Sequence, residues 1–120
     1  MEPLKTYPLV TPLSIHENTC IAAKLIMEAK CQDYASVEDP FRNFRQIETL
    51  DLGSVEVGII IRMGDKLSRL AGFAKDGSLA VKDESVEDTC LDLINYTIIL
   101  LAAIQSRAAQ ERCPEDGEGW

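Results

Sequence analysis

The pattern of apolar and polar positions along the chain predicts helices and shows no alternation strong enough to build a sheet. In the first predicted helix, apolar residues from Ile15 to Ala29 recur at helical spacing, while Lys24, Glu28 and Gln32 occupy the other side. The expected helices run over about 15–34, about 40–49, about 55–72, and from 83–85 to about 112. This pattern favours an all-α fold, a compact bundle of about four helices.

Capping residues indicate where each helix begins and ends. The predicted starts are Ser14, the pair Asp39-Pro40, Ser54, and a capping box from Ser85 to Asp88. Gly72 is the predicted end of the third helix and Pro114 stops the fourth.

The segments outside the helices divide the chain into three parts. Prolines at 3, 8 and 12 exclude a helix from residues 1–13 and favour an extended N-terminal arm. A polar connector over 73–83 contains the turn signal Asp76-Gly77, with a short hairpin as a weaker alternative. We therefore expect one helical domain over 14–112, followed by a flexible acidic tail over 113–120.

The fourth helix is apolar on more than one side. Its large apolar residues are Leu93, Ile94, Ile98, Ile99, Leu100, Leu101 and Ile104. A helix that is apolar nearly all round must be covered on every side. A chain with few other helices needs a partner subunit for that, so we expect a homodimer or a higher homo-oligomer.

Composition and charge indicate which kinds of partner the protein can bind. The formal net charge of −8, from 12 basic and 20 acidic residues, argues against direct nucleic-acid binding. An acidic protein can still bind a nucleotide when a divalent cation bridges carboxylates to phosphates. The apolar run from Leu93 to Ile104 is too short for a membrane span, and no signal peptide is visible. Four cysteines without paired zinc-type spacing are expected to be reduced thiols, which indicates a soluble cytoplasmic protein.

A row of carboxylates at the start of the fourth helix is the most informative candidate site. Glu84, Asp88 and Asp92 lie one helical turn apart on one face, and Asn95 follows them. The first two lie where the helix dipole favours anions, whereas Asp92 is deeper and needs a nearby cation.

Two cations could balance this row. One is the basic side of the third helix, Arg62, Lys66 and Arg69, which would form an ion-pair network between packed helices without a ligand. The other is Mg²⁺ on the acids, with those basic residues holding phosphate oxygens. Spacing alone leaves both interpretations open and favours the network somewhat.

Other residues could complete such a site. Glu28 and Asp33 end the first helix and could supply further carboxylates, and Asp65 lies among the basic residues of the third helix. Tyr34, Phe41 and Phe44 could stack on a base, although aromatic residues at helical spacing more often belong to a core. The sequence has no glycine-rich phosphate loop, nucleophile elbow or HExxH helix.

The third and fourth helices together resemble a known family. The strings from Arg62 to Leu70 and from Glu84 to Tyr96, with the weaker pieces Lys30–Tyr34 and Asn43–Arg45, resemble the phage-associated nucleotide modification associated domain 1 family. The resemblance covers about 15–105. That family is similar in turn to the MazG-like all-α pyrophosphatases, which hydrolyse nucleoside triphosphates to monophosphate and pyrophosphate with Mg²⁺.

The resemblance implies a Mg²⁺-dependent nucleotide pyrophosphatase of phage origin. Asp88 and Asp92 would be the acidic pair on the last core helix, supported by Glu84. The expected roles are catalysis by Glu84 and Glu28, metal binding by Asp88, Asp92, Asp65 and Asp33, phosphate binding by Lys66, Arg69 and Arg62, and base or sugar contacts by Asn95, Tyr96, Tyr34 and Asn43.

One departure from the superfamily pattern keeps alternatives open. The superfamily carries a second acidic pair, Glu-x-x-Glu, on a neighbouring helix, and this chain has none there. Either Glu28 or Asp33 supplies the missing ligands, or the protein binds a nucleotide without hydrolysing it. A structural oligomeric helix bundle is the third alternative.

Overall fold

The computed structural model describes residues 10–33, 41–78 and 85–112. These residues form helices and contain no strand, which confirms the predicted all-α bundle of about four helices. The elements are α1 (Pro12–Asp33), the 3-10 turn η1 (Arg42–Phe44), α2 (Gln46–Thr49), α3 (Val55–Asp76) and α4 (Val86–Arg112). Most of the predicted N-terminal arm, and the whole tail after 112, lie outside the described residues.

The first helix begins earlier than predicted. Thr11, not Ser14, is its N-cap: the Ser14 amide donates to Thr11 Oγ1, and the Thr11 amide donates to Ser14 Oγ, both at 3.0 Å. Pro12 is therefore the first helical residue, where its missing N–H costs nothing and its fixed φ suits a helix. The prediction that Pro12 belongs to an extended arm was wrong for this reason.

The second helix is shorter than predicted and divided in two. The turn η1 and the four-residue α2 together replace the expected single helix over 40–49. The chain leaves α2 through Asp51, whose φ of 58° is in the left-handed region. The predicted start at Asp39-Pro40 lies outside the described residues.

The third helix runs one turn past its predicted end. Ser54 caps it as predicted, accepting a hydrogen bond from the Val57 amide. Gly72 does not end it, because a glycine inside a helix costs only about 1 kcal/mol. The end is at Asp76, where Gly77 adopts φ 80° and its amide donates to the Phe73 carbonyl at 2.7 Å. Residues 73–76 are therefore helical, and no hairpin includes them.

The fourth helix packs antiparallel against α3. Its predicted capping box is confirmed, since the Asp88 amide donates to Ser85 Oγ at 3.0 Å and Asp88 Oδ2 accepts from the Ser85 amide at 3.4 Å. Near the other end of α4, Arg107 forms a bidentate ion pair with Glu56 in the first turn of α3. This pair joins opposite ends of the two helices.

The core between these helices is small. Its buried apolar residues are Val55, Ile59 and Ala103, with partly buried neighbours that include Phe44, Tyr96 and Ile99. On the other side of α4, α1 is held by a hydrogen bond from Asn95 Nδ2 to the Ala23 carbonyl at 2.9 Å. The helices α1 and α3 and the turn η1 thus pack around the first half of α4.

Many large apolar side chains of the described residues stay exposed. By length and composition, an 18-residue window of α4 is also apolar enough to cross a membrane. The prediction that this part of the chain is too short for a membrane span considered only the run Leu93–Ile104, which is part of the helix. Only 17% of that window is buried, so much of α4 is left uncovered by its own chain.

Candidate ligand-binding site

A cavity of about 280 Å³ lies where α1, η1, α3 and α4 meet. Its walls are formed by Met27, Lys30, Cys31, Asn43, Phe44, Arg62, Asp92, Asn95, Tyr96 and Ile99. Four separate elements contribute these residues, so the cavity exists only in the folded chain.

Five of the residues to which the family resemblance assigns a role line this cavity. They are Asn43, Arg62, Asp92, Asn95 and Tyr96, drawn from η1, α3 and α4. The antiparallel packing of α3 and α4 explains the convergence, because it sets the basic side of one helix beside the carboxylate of the other. The fold therefore brings these five residues together around one cavity.

The carboxylate of Asp92 is shared between two lysines. Lys66 Nζ lies 2.9 Å from Asp92 Oδ2, and Lys30 Nζ donates to Oδ1 at 3.3 Å. Burial alone would raise the pKa of Asp92, but the hydrogen bonds and charges of Lys66 and Lys30 together outweigh it and lower this pKa below 3.8. Asp92 is thus an ionised carboxylate whose charge is already balanced.

The side chain of Asn95 is buried and only half satisfied. Asn95 is 7% exposed, and its Nδ2 donates to the backbone of α1. Its Oδ1 is the one buried side-chain polar atom of the described residues without a hydrogen-bond partner. Because the Ala23 carbonyl can only accept a hydrogen bond, the amide group that contacts it must be the nitrogen of Asn95. The amide oxygen of Asn95 is therefore an unused hydrogen-bond acceptor beside the cavity.

Two aromatic rings contribute to the cavity wall. Phe44 and Tyr96 meet edge to face, with ring centroids 6.1 Å apart and ring planes at 82°. This arrangement is favourable for aromatic pairs, and it holds η1 against α4. Met27 and Ile99 add apolar surface to the same cavity.

The charged side chains of the cavity wall leave an excess of one positive charge. Of the described residues in the wall, Lys30 and Arg62 are cations and Asp92 is the single anion. The guanidinium of Arg62 has no hydrogen-bond or ion-pair partner within the described part of the chain. A locally positive recess therefore exists on a protein whose formal net charge is −8.

The remaining predicted residues lie elsewhere. Asp88 is exposed and caps its own helix, while Glu28 and Asp65 are exposed and outside the cavity wall. Lys66 contacts Asp92 and Arg69 is half-buried, but neither residue lines the cavity. Glu84, Tyr34 and the side chain of Asp33 lie outside what the structure describes. The expected row with Asp88 and Asp92 directed into one cleft is therefore not formed.

These positions bear directly on the predicted Mg²⁺ site. Among the described residues, no three carboxylate, histidine or cysteine side chains come together as metal ligands. Asp92 has a lysine on each oxygen, and Asp88 accepts from the backbone of its own helix. The described residues therefore gather no such set of ligands, and the Mg²⁺ site stays a prediction.

The sequence predicted that α1 contributes Glu28 and Asp33, and it did not reveal the face of α1 that lines the cavity. Met27 and Lys30 line it, and Ala23 accepts the hydrogen bond from α4. These three residues stand at i, i+4 and i+7, the spacing of one helix face. That face mixes a small residue, a thioether and a cation, so it gives a weaker signal than the carboxylate row.

Comparison with known proteins identifies no relative: the chain matches no protein-family model, no curated protein and no solved structure.

Proposed function

We propose that this protein binds a nucleotide in the cavity between α1, η1, α3 and α4. The observation that carries the proposal is the convergence of three kinds of group on one recess. These groups are an unpaired guanidinium on Arg62, an unused buried acceptor on Asn95, and the aromatic rings of Phe44 and Tyr96. A nucleotide offers a phosphate, base N–H groups and a flat apolar ring, one for each of these groups.

Each wall residue has a role in this proposal. Arg62 supplies a planar set of donors suited to phosphate oxygens. Asn95 accepts from an N–H of the base, because its own nitrogen is already committed to α1. The neighbouring rings and Ile99 cover the apolar faces of the base.

The size of the cavity sets which nucleotides fit. Ligand pockets for small molecules are about 300–1,000 Å³, and this cavity is near the lower limit. It suits a base with its sugar, and the exposed Arg62 then meets the phosphate at the rim. We therefore expect a nucleoside monophosphate to make most of the contacts that a triphosphate makes.

Binding without hydrolysis is the form of the proposal that the described residues favour. Among the described residues, Asp92 is the only carboxylate that lines the cavity, and two lysines neutralise it. Mg²⁺-dependent release of pyrophosphate remains a prediction from the family resemblance. It would require Glu84 and Asp33 to bring carboxylates to a metal ion.

Isothermal titration calorimetry with the four deoxynucleoside monophosphates and triphosphates, with and without Mg²⁺, tests binding. Chromatography of the same mixtures tests turnover. We expect at least one nucleotide to bind in the absence of Mg²⁺ and to be recovered intact. Turnover that requires Mg²⁺ would support the pyrophosphatase instead.

Arg62→Gln is the variant that tests the phosphate contact. A hydrogen bond to a charged group contributes about 1.5–3 kcal/mol, so we expect affinity to fall by roughly 10- to 100-fold. Lys75→Gln removes the same charge from an exposed position outside the cavity and should leave affinity unchanged. Equal effects of both variants, or no binding of any nucleotide by the unmodified protein, would contradict the proposal.

A further inference from the structure

A stripe of α4 residues on the side away from the core repeats with alternating spacings of three and four. We name this stripe the α4 seam; it consists of Leu91, Ile94, Ile98, Leu101, Gln105 and Ala108. At 100° per residue the seam lies roughly opposite Ala103, which is buried against α3. Ile98 and Leu101, at the middle of the seam, are 49% and 52% exposed.

This spacing is that of a coiled-coil interface. Apolar residues at alternating intervals of three and four form the a and d positions of a heptad, which pack against the same positions of another helix. Gln105 is the single polar residue in the seam, and one polar residue at such a position helps to specify register. Exposed Ala102 and Ala109 beside the seam let a second helix approach closely.

Charges at the two ends of the seam determine the orientation of the partner helix. Continuing the heptad one step each way reaches Glu87 at the start of α4 and Arg112 at its end. Both are exposed, and the described part of the chain gives neither an ion-pair partner. Two antiparallel copies of α4 would place each Glu87 beside the other copy's Arg112, whereas parallel copies would place like charges together.

Two further charged residues of α4 are already paired within the subunit. Asp92 is balanced by Lys30 and Lys66, and Arg107 is paired with Glu56, all within one subunit. These pairs lie on the sides of α4 that face α1 and α3. Antiparallel packing also sets the helix dipoles in opposition, which is favourable.

We infer that a second copy of this chain packs antiparallel along the α4 seam, with Ile98 of each copy opposite Leu101 of the other. The same register places Glu87 opposite Arg112 at both ends. The inference does not depend on the proposed nucleotide site, because the cavity lies on another side of α4. The α4 seam is then the contact surface of the homo-oligomer that the sequence predicts.

Light scattering after gel filtration, under reducing conditions, measures the assembly. We expect twice the chain mass of 13.3 kDa for the unmodified protein, and the chain mass alone for Ile98→Asp. Ile60→Asp is the matched control, because Ile60 is 52% exposed on α3 and lies outside the seam. This control should remain dimeric, and circular dichroism should show native helix content for both variants.

A charge exchange tests the antiparallel register. Glu87→Arg or Arg112→Glu alone should raise the dimer dissociation constant by tenfold or more, and the double variant should restore it. A parallel pair would show no restoration, which would overturn the orientation. A monomeric unmodified protein, or loss of the dimer in Ile60→Asp but not in Ile98→Asp, would overturn the inference. A monomer that co-sediments with neutral phosphatidylcholine vesicles would show that a membrane occupies the seam instead.

Discussion

Replacing Asn95 with leucine separates the contribution of this residue to stability from its contribution to binding. The substitution removes one hydrogen bond, from Nδ2 to the Ala23 carbonyl, and one buried acceptor that has no partner. A typical hydrogen bond stabilises a protein by about 0.5–1.5 kcal/mol, whereas a buried unpaired polar atom costs about 1–3 kcal/mol. Both side chains branch at the same carbon, and the adjacent cavity can accept the methyl groups.

The free energy of unfolding of Asn95→Leu should therefore stay equal to that of the unmodified protein or rise by about 1 kcal/mol. Nucleotide affinity should fall, because leucine accepts no hydrogen bond from the base and leaves a ligand N–H unpaired. We expect a loss of roughly 10-fold or more, equivalent to about 1.4 kcal/mol or above. Urea unfolding measures the first quantity and calorimetry the second.

Thr97→Val is the matched control for this experiment. Thr97 lies on the same helix, is exposed, and is absent from the cavity wall. Both its stability and its affinity should stay close to those of the unmodified protein. A destabilisation of Asn95→Leu beyond about 2 kcal/mol would mean that Oδ1 already has a partner. Unchanged affinity would mean that no ligand uses this oxygen.

Three further predictions concern the helices that hold the cavity, all measured by urea unfolding. Gly77→Ala should destabilise by about 1 kcal/mol because φ is 80°, whereas Gly72→Ala should stabilise by a similar amount, since no atom lies near its added Cβ. A hydrogen bond from its arginine partner, opposed by burial, lowers the pKa of Glu56 from 4.5 to about 2. The pair of Glu56 with Arg107 therefore stabilises the fold fully above pH 4.5 and loses this effect as the pH falls towards 2. Glu56→Gln should remove this pH dependence. It should cost about 1 kcal/mol at pH 7, since the side chain of Arg107 is half exposed. Lys66→Met removes the shorter lysine contact of Asp92 and should cost about 1–2 kcal/mol at pH 7, and less as the pH falls below 3.8 towards the lowered pKa of folded Asp92. Equal costs at pH 7 and pH 3 would refute this account of the lysine.

The sequence predicted a helix cap correctly where a capping side chain directly precedes a helical pattern. Ser54 and Ser85 cap α3 and α4 as predicted, because each precedes an uninterrupted helical pattern. The first cap lies one turn before its predicted position, because Pro12 stands at the first helical position, where proline is well suited. Gly72 was misjudged for a related reason: its cost is smaller than the gain from the turn that follows it.

The candidate site was only partly predictable, because its partners come from different elements. The spacing on α4 placed Asp92 and Asn95 one turn apart, and both line the cavity. Spacing did not reveal that Lys30 of α1 reaches the same carboxylate, which required the packing of α1 on α4. It also did not reveal that Asp88 is used by its own helix start, although the capping box predicted there contains this residue.

The proposed nucleotide cavity and the α4 seam use different sides of a single helix. Asp92, Asn95 and Tyr96 direct one side of α4 to the cavity, whereas Ile98 and Leu101 lie on the side that the seam occupies. Antiparallel pairing along the seam would therefore leave both cavities of a dimer open. If so, Ile98→Asp monomers should still bind nucleotide with unchanged affinity, and Arg62→Gln should stay dimeric. Loss of both properties in either variant would show that the two sides of α4 are coupled, and that the cavity depends on the second copy.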